Sequence, residues 1–409
     1  MQQKPSAAMQ TEPRPIDPPS GKREWGRLAG KVAMCTWVVA MAVIVVHVWL
    51  KPNSNTLYKV FRAGGERWLH TENLYPKVDE YIYSPFAAAF FAPFTLLPDR
   101  MAGVLWRLLS LGVYGGAFAA WLKKPGERAG MAWILLLPLS LGDLFNGQAN
   151  PLVIGLVMAA VLACRRERWM VAALCVAVAT YFKVYPLAMG LLLTVIHPRK
   201  FPWRLGAALV GIFALSLVLQ RPGYVLEQYV NWVHSLRQDP RRTLHYYGTY
   251  RDAWLFLRVL HVPVSLAGWA VVQAGSGAAL AVYLYLVKRR RAGAERLDFL
   301  LLTLGTCWML LFGPATESST YVILAPPVVL AWMRWSGEAG GWVKWAWACY
   351  ALLVGSQMLS SWGHQYQNAF THLIQPAGTV ILAVALIAYG WEGWGARAEG
   401  ELAGGAALD

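Results

Sequence analysis

Long apolar runs that carry no charge alternate along this chain with short connections that hold most of its charged residues. Only 14% of the 409 residues are charged, whereas a soluble domain carries about 25%. Ionisable side chains are costly in hydrocarbon, and a helix needs about 20 mainly apolar residues to cross a bilayer. The pattern therefore predicts an all-α, polytopic integral membrane protein and argues against a large soluble core.

The basic residues predict the orientation of the chain in the membrane. The formal net charge of +15 comes largely from Lys and Arg in the short connections, and such residues mark cytoplasmic loops. The basic connections are residues 123–128, 165–168, 199–204 and 288–291. We therefore expect cytoplasmic N- and C-termini, with membrane lipids rather than nucleic acid as the partner of this charge.

The same pattern gives a domain organisation with about twelve membrane spans. Residues 1–30 are predicted to be a disordered cytoplasmic tail, residues 31–392 a single transmembrane domain, and residues 393–409 a flexible cytoplasmic tail. A short interfacial helix is expected around residues 58–70. If the apolar runs at 84–97 and 101–122 both crossed, every later loop would invert and the charge rule would fail. We therefore predict that one of these two runs is partial or re-entrant.

Unusual polar residues gather at the ends of the apolar runs that this orientation places outside. These residues are Asp79, Glu80, Tyr83, Asp143, Asn146, Gln148, Asn150, Lys183, Tyr185, Arg251, Asp252 and Glu317. Their convergence on one side predicts a functional site at the outer face of the membrane.

Lys183 is the clearest single candidate, because it interrupts an otherwise apolar stretch beside Pro186. An ionisable residue inside a membrane segment indicates function by default, and a lysine can bind a phosphate as a point charge. The alternative is that Lys183 snorkels to the outer interface.

Acidic residues on the outer side are candidates for a general base. Asp79, Glu80 and Glu317 are the first choices, with Glu72 a further local one; the alternatives are solvated loop acids and, for Glu317, a charge that complements a helix dipole. Asp143 is expected to cap a helix end more than to act in catalysis.

Asn146 and Gln148 carry polar amides without charge at a short turn. Such amides could hydrogen-bond a sugar hydroxyl or satisfy the backbone of the turn. The histidines show no paired metal spacing, and the chain contains no Walker loop, dinucleotide fingerprint or HExxH helix. No cofactor is therefore implied, and the need for a divalent metal is left open.

Three motifs, in chain order, resemble those of glycosyltransferase family 87. Tyr81-Ile82-Tyr83-Ser84-Pro85-Phe86 is similar to the family's tyrosine–proline block, Gly147-Gln148-Ala149-Asn150 to its Gly-Gln-x-Asn turn, and Lys183-Val184-Tyr185-Pro186 to its Lys-x-Tyr-Pro turn. The family belongs to the GT-C superfamily of membrane transferases, so the resemblance implies a GT-C-like fold over residues 31–335.

The resemblance also implies an activity. A polyprenyl-phosphate donor would pass a sugar, mannose or a related hexose, with inversion to a lipid or glycan acceptor outside the bacterial plasma membrane. The residues that would bind the donor phosphate and sugar are Lys183, Tyr185, Gln148, Asn150, Asn146, Tyr83 and Arg251. The residues that would supply the base are Asp79, Glu80 and Glu317. Two features depart from the family: residues 53–58 lack the usual first-loop Asp, and Glu317 lies where a histidine pair is usual.

Two other functions were weighed against the enzyme. A non-catalytic transporter or lipid-binding protein on the same scaffold would place ionisable residues near the middle of the membrane and would often show two similar halves. A structural membrane subunit would need neither Lys183 nor Glu317. The chain shows no internal repeat, and its polar residues lie on one side, which favours the enzyme.

Overall fold

The computed structural model describes residues 20–77, 81–122, 127–238, 250–290, 293–338, 340–361 and 369–392. Within these ranges the regular secondary structure is helical throughout and no strand is present. The α-helices are α1 (Ser20–Leu50), α2 (Tyr58–Leu69), α3 (Pro85–Phe91), α4 (Asp99–Leu122), α5 (Glu127–Asn146), α6 (Asn150–Arg165), α7 (Trp169–Phe182), α8 (Leu187–Ile196), α9 (Pro202–Leu219), α10 (Pro222–Arg237), α11 (Ala253–Val259), α12 (Leu266–Arg289), α13 (Ala294–Leu311), α14 (Ala325–Trp335), α15 (Val343–Ser361) and α16 (Ala369–Glu392).

Six helices in the described part of the chain are long and apolar enough to cross a bilayer, judged by length and composition. They lie in α1, α4, α5, α9, α12 and α16. The prediction of an all-α integral membrane protein is thereby confirmed. The count of about twelve spans stays a prediction, because α6, α7 and α8 have only 16, 14 and 10 residues.

Helix α1 begins at Ser20, eleven residues before the predicted domain boundary at residue 31. Lys and Arg are good helix formers, so the basic segment extends the spanning helix instead of ending it. The short helix predicted around residues 58–70 is present as α2, which buries Tyr58, Phe61 and Trp68, and its location at the membrane interface stays a prediction. Residues 1–19 and 393–409, predicted to be tails, lie outside the described residues.

The first of the two apolar runs at 84–97 and 101–122 is short and irregular. Helix α3 covers seven residues and continues as a five-residue 3-10 helix, Ala92–Leu96, where Pro93 removes a backbone donor. Together they extend only about 20 Å, against about 30 Å of hydrocarbon. Helix α4, in contrast, has 24 residues. This geometry supports the prediction that one run is partial and points to the first.

A buried aromatic cluster fixes α2 and α3 against the spanning helices. Phe91 stacks on Phe61 with ring centroids 4.5 Å apart, and both lie edge-on to Trp106 of α4. The Trp106 ring stacks in turn on Phe182, the last residue of α7. These contacts connect α2 and α3 to the end of α7, where the Lys183 turn begins.

Arg107 of α4 is a buried charge in the middle of an apolar run, and it holds three segments together. Its guanidinium donates to the carbonyls of Leu144 (3.0 Å) and Phe145 (2.7 Å) at the end of α5. It also donates to the Thr56 hydroxyl (3.0 Å) in the segment after α1. A positive charge at a helix C-terminus complements the helix dipole and satisfies carbonyls that lack intrahelical donors.

The turn after α5 is shaped by the same arginine. Gly147 has φ +71°, and a Cβ added there would lie 3.1 Å from the Arg107 guanidinium. The Gly147 carbonyl accepts from the indole N–H of Trp106 at 2.8 Å. Only glycine therefore fits this position without moving Arg107, and the turn at residues 146–150 is held by two neighbouring side chains of α4.

We expect Arg107→Met to destabilise the protein markedly. The substitution leaves buried carbonyls at the end of α5 without a donor, at about 1–3 kcal/mol for each group. The measurement is the thermal unfolding midpoint Tm in detergent, beside Arg100→Met on the exposed face of the same helix as the control. Equal Tm values for the two variants would contradict the anchoring role of Arg107.

Candidate active site

Three buried side chains form a hydrogen-bonded chain near the end of α5, at the start of α6 and in the turn between α7 and α8. The Asn150 amide donates to the Asp143 carboxylate at 3.0 Å, and the Tyr185 hydroxyl donates to the Asn150 amide oxygen at 3.4 Å. Their exposed fractions are 0%, 5% and 4% for Asn150, Asp143 and Tyr185. Burial raises the pKa of Tyr185 well above its ordinary value, so this hydroxyl keeps its proton and stays a donor.

Lys183 lies beside this chain. It ends α7 in an extended conformation (φ −147°, ψ 134°), and the adjacent turn contains Pro186. Its ammonium lies 5.8 Å from the ring centroid of Tyr83, which is itself buried, and its charge acts on the Asp143 carboxylate. A cation near a tyrosine ring that also interacts electrostatically with a carboxyl group is stabilised inside the protein. The placement favours a functional Lys183 over one that snorkels away.

Glu317 reaches the same cluster from a distant part of the chain. Its charge acts on both Asp143 and Tyr185, and its side chain is half-buried. Its backbone N–H donates to the Thr320 hydroxyl at 3.1 Å. The helix that follows is a 3-10 helix, Ser319–Leu324, so Glu317 does not begin an α-helix. The cluster thus contains one cation and two acids.

Arg251 anchors the loop that carries Glu317. Its backbone N–H donates to the Thr316 carbonyl (2.7 Å), its carbonyl accepts from the Tyr321 hydroxyl (2.6 Å), and its guanidinium donates to the Gln375 amide oxygen (3.0 Å). Burial lowers the pKa of Arg251 to about 10, which still leaves it charged at neutral pH. The predicted contact of Arg251 with a donor stays a prediction, because its hydrogen bonds in this structure position residues 316–321.

The two amides of the glycine turn differ in their partners. The Asn146 amide oxygen accepts from the Leu57 N–H at 3.1 Å, and the Asn146 backbone carbonyl accepts from the same N–H (2.9 Å) and from the Thr56 hydroxyl (3.2 Å). Asn146 therefore holds the segment that follows α1. The Gln148 amide oxygen is buried without a hydrogen-bond partner among the described residues. A buried acceptor of this kind is costly unless a ligand satisfies it, so Gln148 fits the predicted contact with a sugar hydroxyl better than Asn146.

The remaining predicted acids are placed differently. Asp79 and Glu80 lie outside the described residues, so their predicted role stays a prediction. Glu72 is exposed, and its backbone carbonyl accepts from the Tyr224 hydroxyl at 2.7 Å. Asp143, expected to cap a helix, instead bonds to Asn150 across the turn and lies at the centre of the cluster.

An apolar groove begins beside the cluster. It has a volume of about 540 Å³ and runs between α8, α12 and α13. At one end it is lined by Pro314, three residues before Glu317, and by Ala188, three residues after Tyr185. Its lining on α12 extends from Ala270 to Ala281, about 16 Å along the helix axis. A charged cluster therefore lies at the head of a groove that suits a hydrocarbon chain.

The described residues contain no group of three or more His, Cys, Asp or Glu side chains that could hold a metal ion.

These features define the class: a helical integral membrane protein with a polar site at the head of an apolar groove. The family model for glycosyltransferase family 87 matches residues 81–314, which is more than half of the chain. The chain therefore belongs to glycosyltransferase family 87 and is a membrane glycosyltransferase.

Two individual proteins are similar over most of their length. The first is the polyprenol-phosphate-mannose-dependent α-(1-2)-phosphatidylinositol pentamannoside mannosyltransferase of Mycobacterium tuberculosis, which is 24% identical over 390 residues covering 88% of this chain and 86% of the relative. The second is the crystal structure of ArnT from Cupriavidus metallidurans bound to undecaprenyl phosphate. It is 16% identical with a TM-score of 0.35, covering 89% of this chain and 79% of that one.

We expect Asn150→Asp to lower the Tm in detergent, because two carboxylates would then face each other at hydrogen-bond distance in a buried site. The double variant Asp143→Asn/Asn150→Asp exchanges the two groups and restores one amide-to-carboxylate hydrogen bond. It should recover most of the lost Tm. The sum of the two single-substitution effects predicts a Tm for the double variant. A measured Tm no higher than that value would rule out a direct Asp143–Asn150 interaction.

Proposed function

We propose that this protein transfers a hexose, with mannose the first candidate, from a polyprenyl-phosphate donor to a lipid or glycan acceptor. The reaction takes place at the outer side of a bacterial plasma membrane, with both termini in the cytoplasm. The observation that carries the proposal is the charged cluster of Lys183, Asp143 and Glu317 at the head of the apolar groove. A lipid-linked sugar phosphate has the matching shape, a charged head on a long hydrocarbon chain.

The donor would bind with its phosphate near Lys183 and its prenyl chain in the groove between α8, α12 and α13. Lysine binds phosphate as a compact point charge, and the partial burial of Lys183 strengthens that attraction. Gln148 offers an unpaired amide oxygen for a sugar hydroxyl. The name of the mycobacterial relative includes polyprenol-phosphate-mannose dependence, which supports this donor class.

The reaction would be a single displacement with inversion. The acceptor oxygen attacks the anomeric carbon, the bond from that carbon to the phosphate oxygen breaks, and its electron pair stays on the phosphate. A carboxylate takes the acceptor proton. Lys183 stabilises the charge that develops on the departing phosphate. Glu317 is the base candidate within the described residues, and Asp79 and Glu80 are the other two.

We expect wild-type protein in nanodiscs to transfer radiolabelled mannose from polyprenyl-phosphate mannose to a lipid extract of the native host. Lys183→Gln should lower kcat/KM about 10- to 150-fold, the value of one charged hydrogen bond. One of Glu317→Gln, Asp79→Asn and Glu80→Gln should lower kcat by about 100-fold or more, which identifies the base.

Lys59→Gln and Glu227→Gln, at exposed positions on α2 and α10, are the matched controls and should leave transfer unchanged. Donor binding that depends on Lys183, without transfer of any tested hexose, would point to the non-catalytic lipid-binding alternative. Neither transfer nor binding of the donor would overturn the proposed function.

We expect Gly277→Leu to reduce transfer from long-chain donors about tenfold. The new side chain enters the groove beside Trp308, 3.3 Å from the added Cβ, and removes roughly 60 Å² of apolar contact at about 25 cal/mol per Å². Gly275→Leu on the same helix faces open space and is the control. With short-chain donor analogues, the two variants should transfer at similar rates. An equal loss of transfer by Gly277→Leu with short-chain and long-chain donors would contradict the groove assignment.

A further inference from the structure

A second apolar crevice lies at the opposite end of the helix bundle from the charged cluster. It has a volume of about 600 Å³ and is formed by the N-terminal half of α1, the C-terminal half of α4 and the start of α5. Small side chains form much of its wall, among them Gly30, Gly115, Ala119 and Gly130. The donor site proposed above lies at the other end of α5, so this crevice is separate from it.

Close backbone contact and an indole pair determine the shape of the crevice. A Cβ added at Gly130 would lie 2.6 Å from the carbonyl carbon of Ala29, so α1 and α5 touch at this point. Further along α1, Trp37 donates its indole N–H to the Trp133 carbonyl at 2.9 Å, and the two rings meet edge to face. Between these fixed contacts, Gly30 of α1 and Gly115 of α4 leave space that larger side chains would fill.

The depth of the crevice matches one leaflet of a bilayer. Its lining on α1 extends from Gly26 to Val38, about 18 Å along the helix axis. Half of the hydrocarbon core is about 15 Å thick. Met34 and Val38, which line the crevice, are 68% and 61% exposed, so this wall faces the bilayer. A single acyl chain of a lipid in that leaflet fits the length and the apolar lining.

Two basic residues lie near the N-terminal end of the crevice on the same face of α1. Arg27 precedes Met34 by seven residues, and Lys31 precedes Val38 by seven, which places each pair on one helix face. Both basic side chains are exposed. Helical side chains incline towards the N-terminus and long basic ones extend to the interface. Their charges therefore lie where a lipid headgroup would be when its chain occupies the crevice.

We propose that this crevice is a binding site for an anionic phospholipid, with one acyl chain between α1, α4 and α5 and the headgroup phosphate at Arg27 and Lys31. Charge complementarity selects an anionic headgroup over a zwitterionic one. The site is independent of the proposed transferase activity, because neither its residues nor its test involves the donor. It would hold the N-terminal half of α1 against the bundle, where Ala33 is the one buried residue within the described stretch 25–35.

The test measures lipid retention by native mass spectrometry of the full chain, delipidated in detergent and supplied with phosphatidylglycerol or phosphatidylcholine. Wild type should retain phosphatidylglycerol in preference. The double variant Arg27→Gln/Lys31→Gln should lower that retention roughly 30-fold at low salt, since each basic residue near a surface contributes a factor of roughly five. Arg289→Gln is the matched control, because Arg289 is an exposed arginine at the C-terminal end of α12, away from the crevice.

A second pair of variants tests the acyl-chain wall. Gly115→Leu fills the crevice and should abolish retention of both lipids, whereas Gly116→Leu, next to it and facing open space, should change nothing. The basic variants are at exposed positions, so their result stands even if Gly115→Leu fails to fold. Equal retention of the two lipids, or retention that is insensitive to Arg27 and Lys31, would overturn the proposal, as would a crevice that retains neither lipid.

Discussion

The guanidinium of Arg107 is the interaction on which the arrangement of the site depends. From the first half of α4, it binds carbonyls at the end of α5 and the Thr56 hydroxyl in the segment after α1. The turn that contains Gln148 and leads to Asn150 starts from those carbonyls. A cation buried among carbonyl oxygens is costly to desolvate, and the negative end of a helix dipole offsets that cost. The positions of the Gln148 and Asn150 amides thus depend on Arg107, a charged residue outside the cluster.

A second buried arginine, Arg251, has an equivalent structural role on the other side of the site. Arg251 ties residues 316–321 to α16 through Gln375, whose amide N–H also donates to the Ser318 carbonyl at 3.3 Å. The loops that present Asn150 and Glu317 are therefore each held by a buried guanidinium. The charges that hold these loops are therefore different from Lys183 and Glu317, the proposed phosphate-binding and base residues. This separation of structural and functional charge is consistent with a preorganised site.

Much of the helical fold could be predicted from the sequence, because apolar runs define the helices and charged connections mark where they end. Lys183, Asn150 and Glu317 were expected to converge, and the structure brings them together around Asp143. The bond of Asp143 to Asn150 could not be predicted, since a spacing of seven across a glycine turn follows no helical rule. Arg107 was missed as well, although a lone arginine in an apolar run was a visible signal. Its partners are backbone carbonyls of another helix, which sequence does not specify.

The short length of α8 has a consequence for the surrounding lipid. Its ten residues extend about 15 Å from the basic connection at residues 199–204 towards the Lys183 turn. A helix of that length reaches only to about the midplane of an ordinary bilayer. The polar turn would then lie inside the hydrocarbon of an unperturbed bilayer, and the membrane beside α8 would have to thin or admit water to meet it. Local thinning would shorten the distance from the headgroup region to Lys183. The thickness of the host bilayer would therefore influence access to the site.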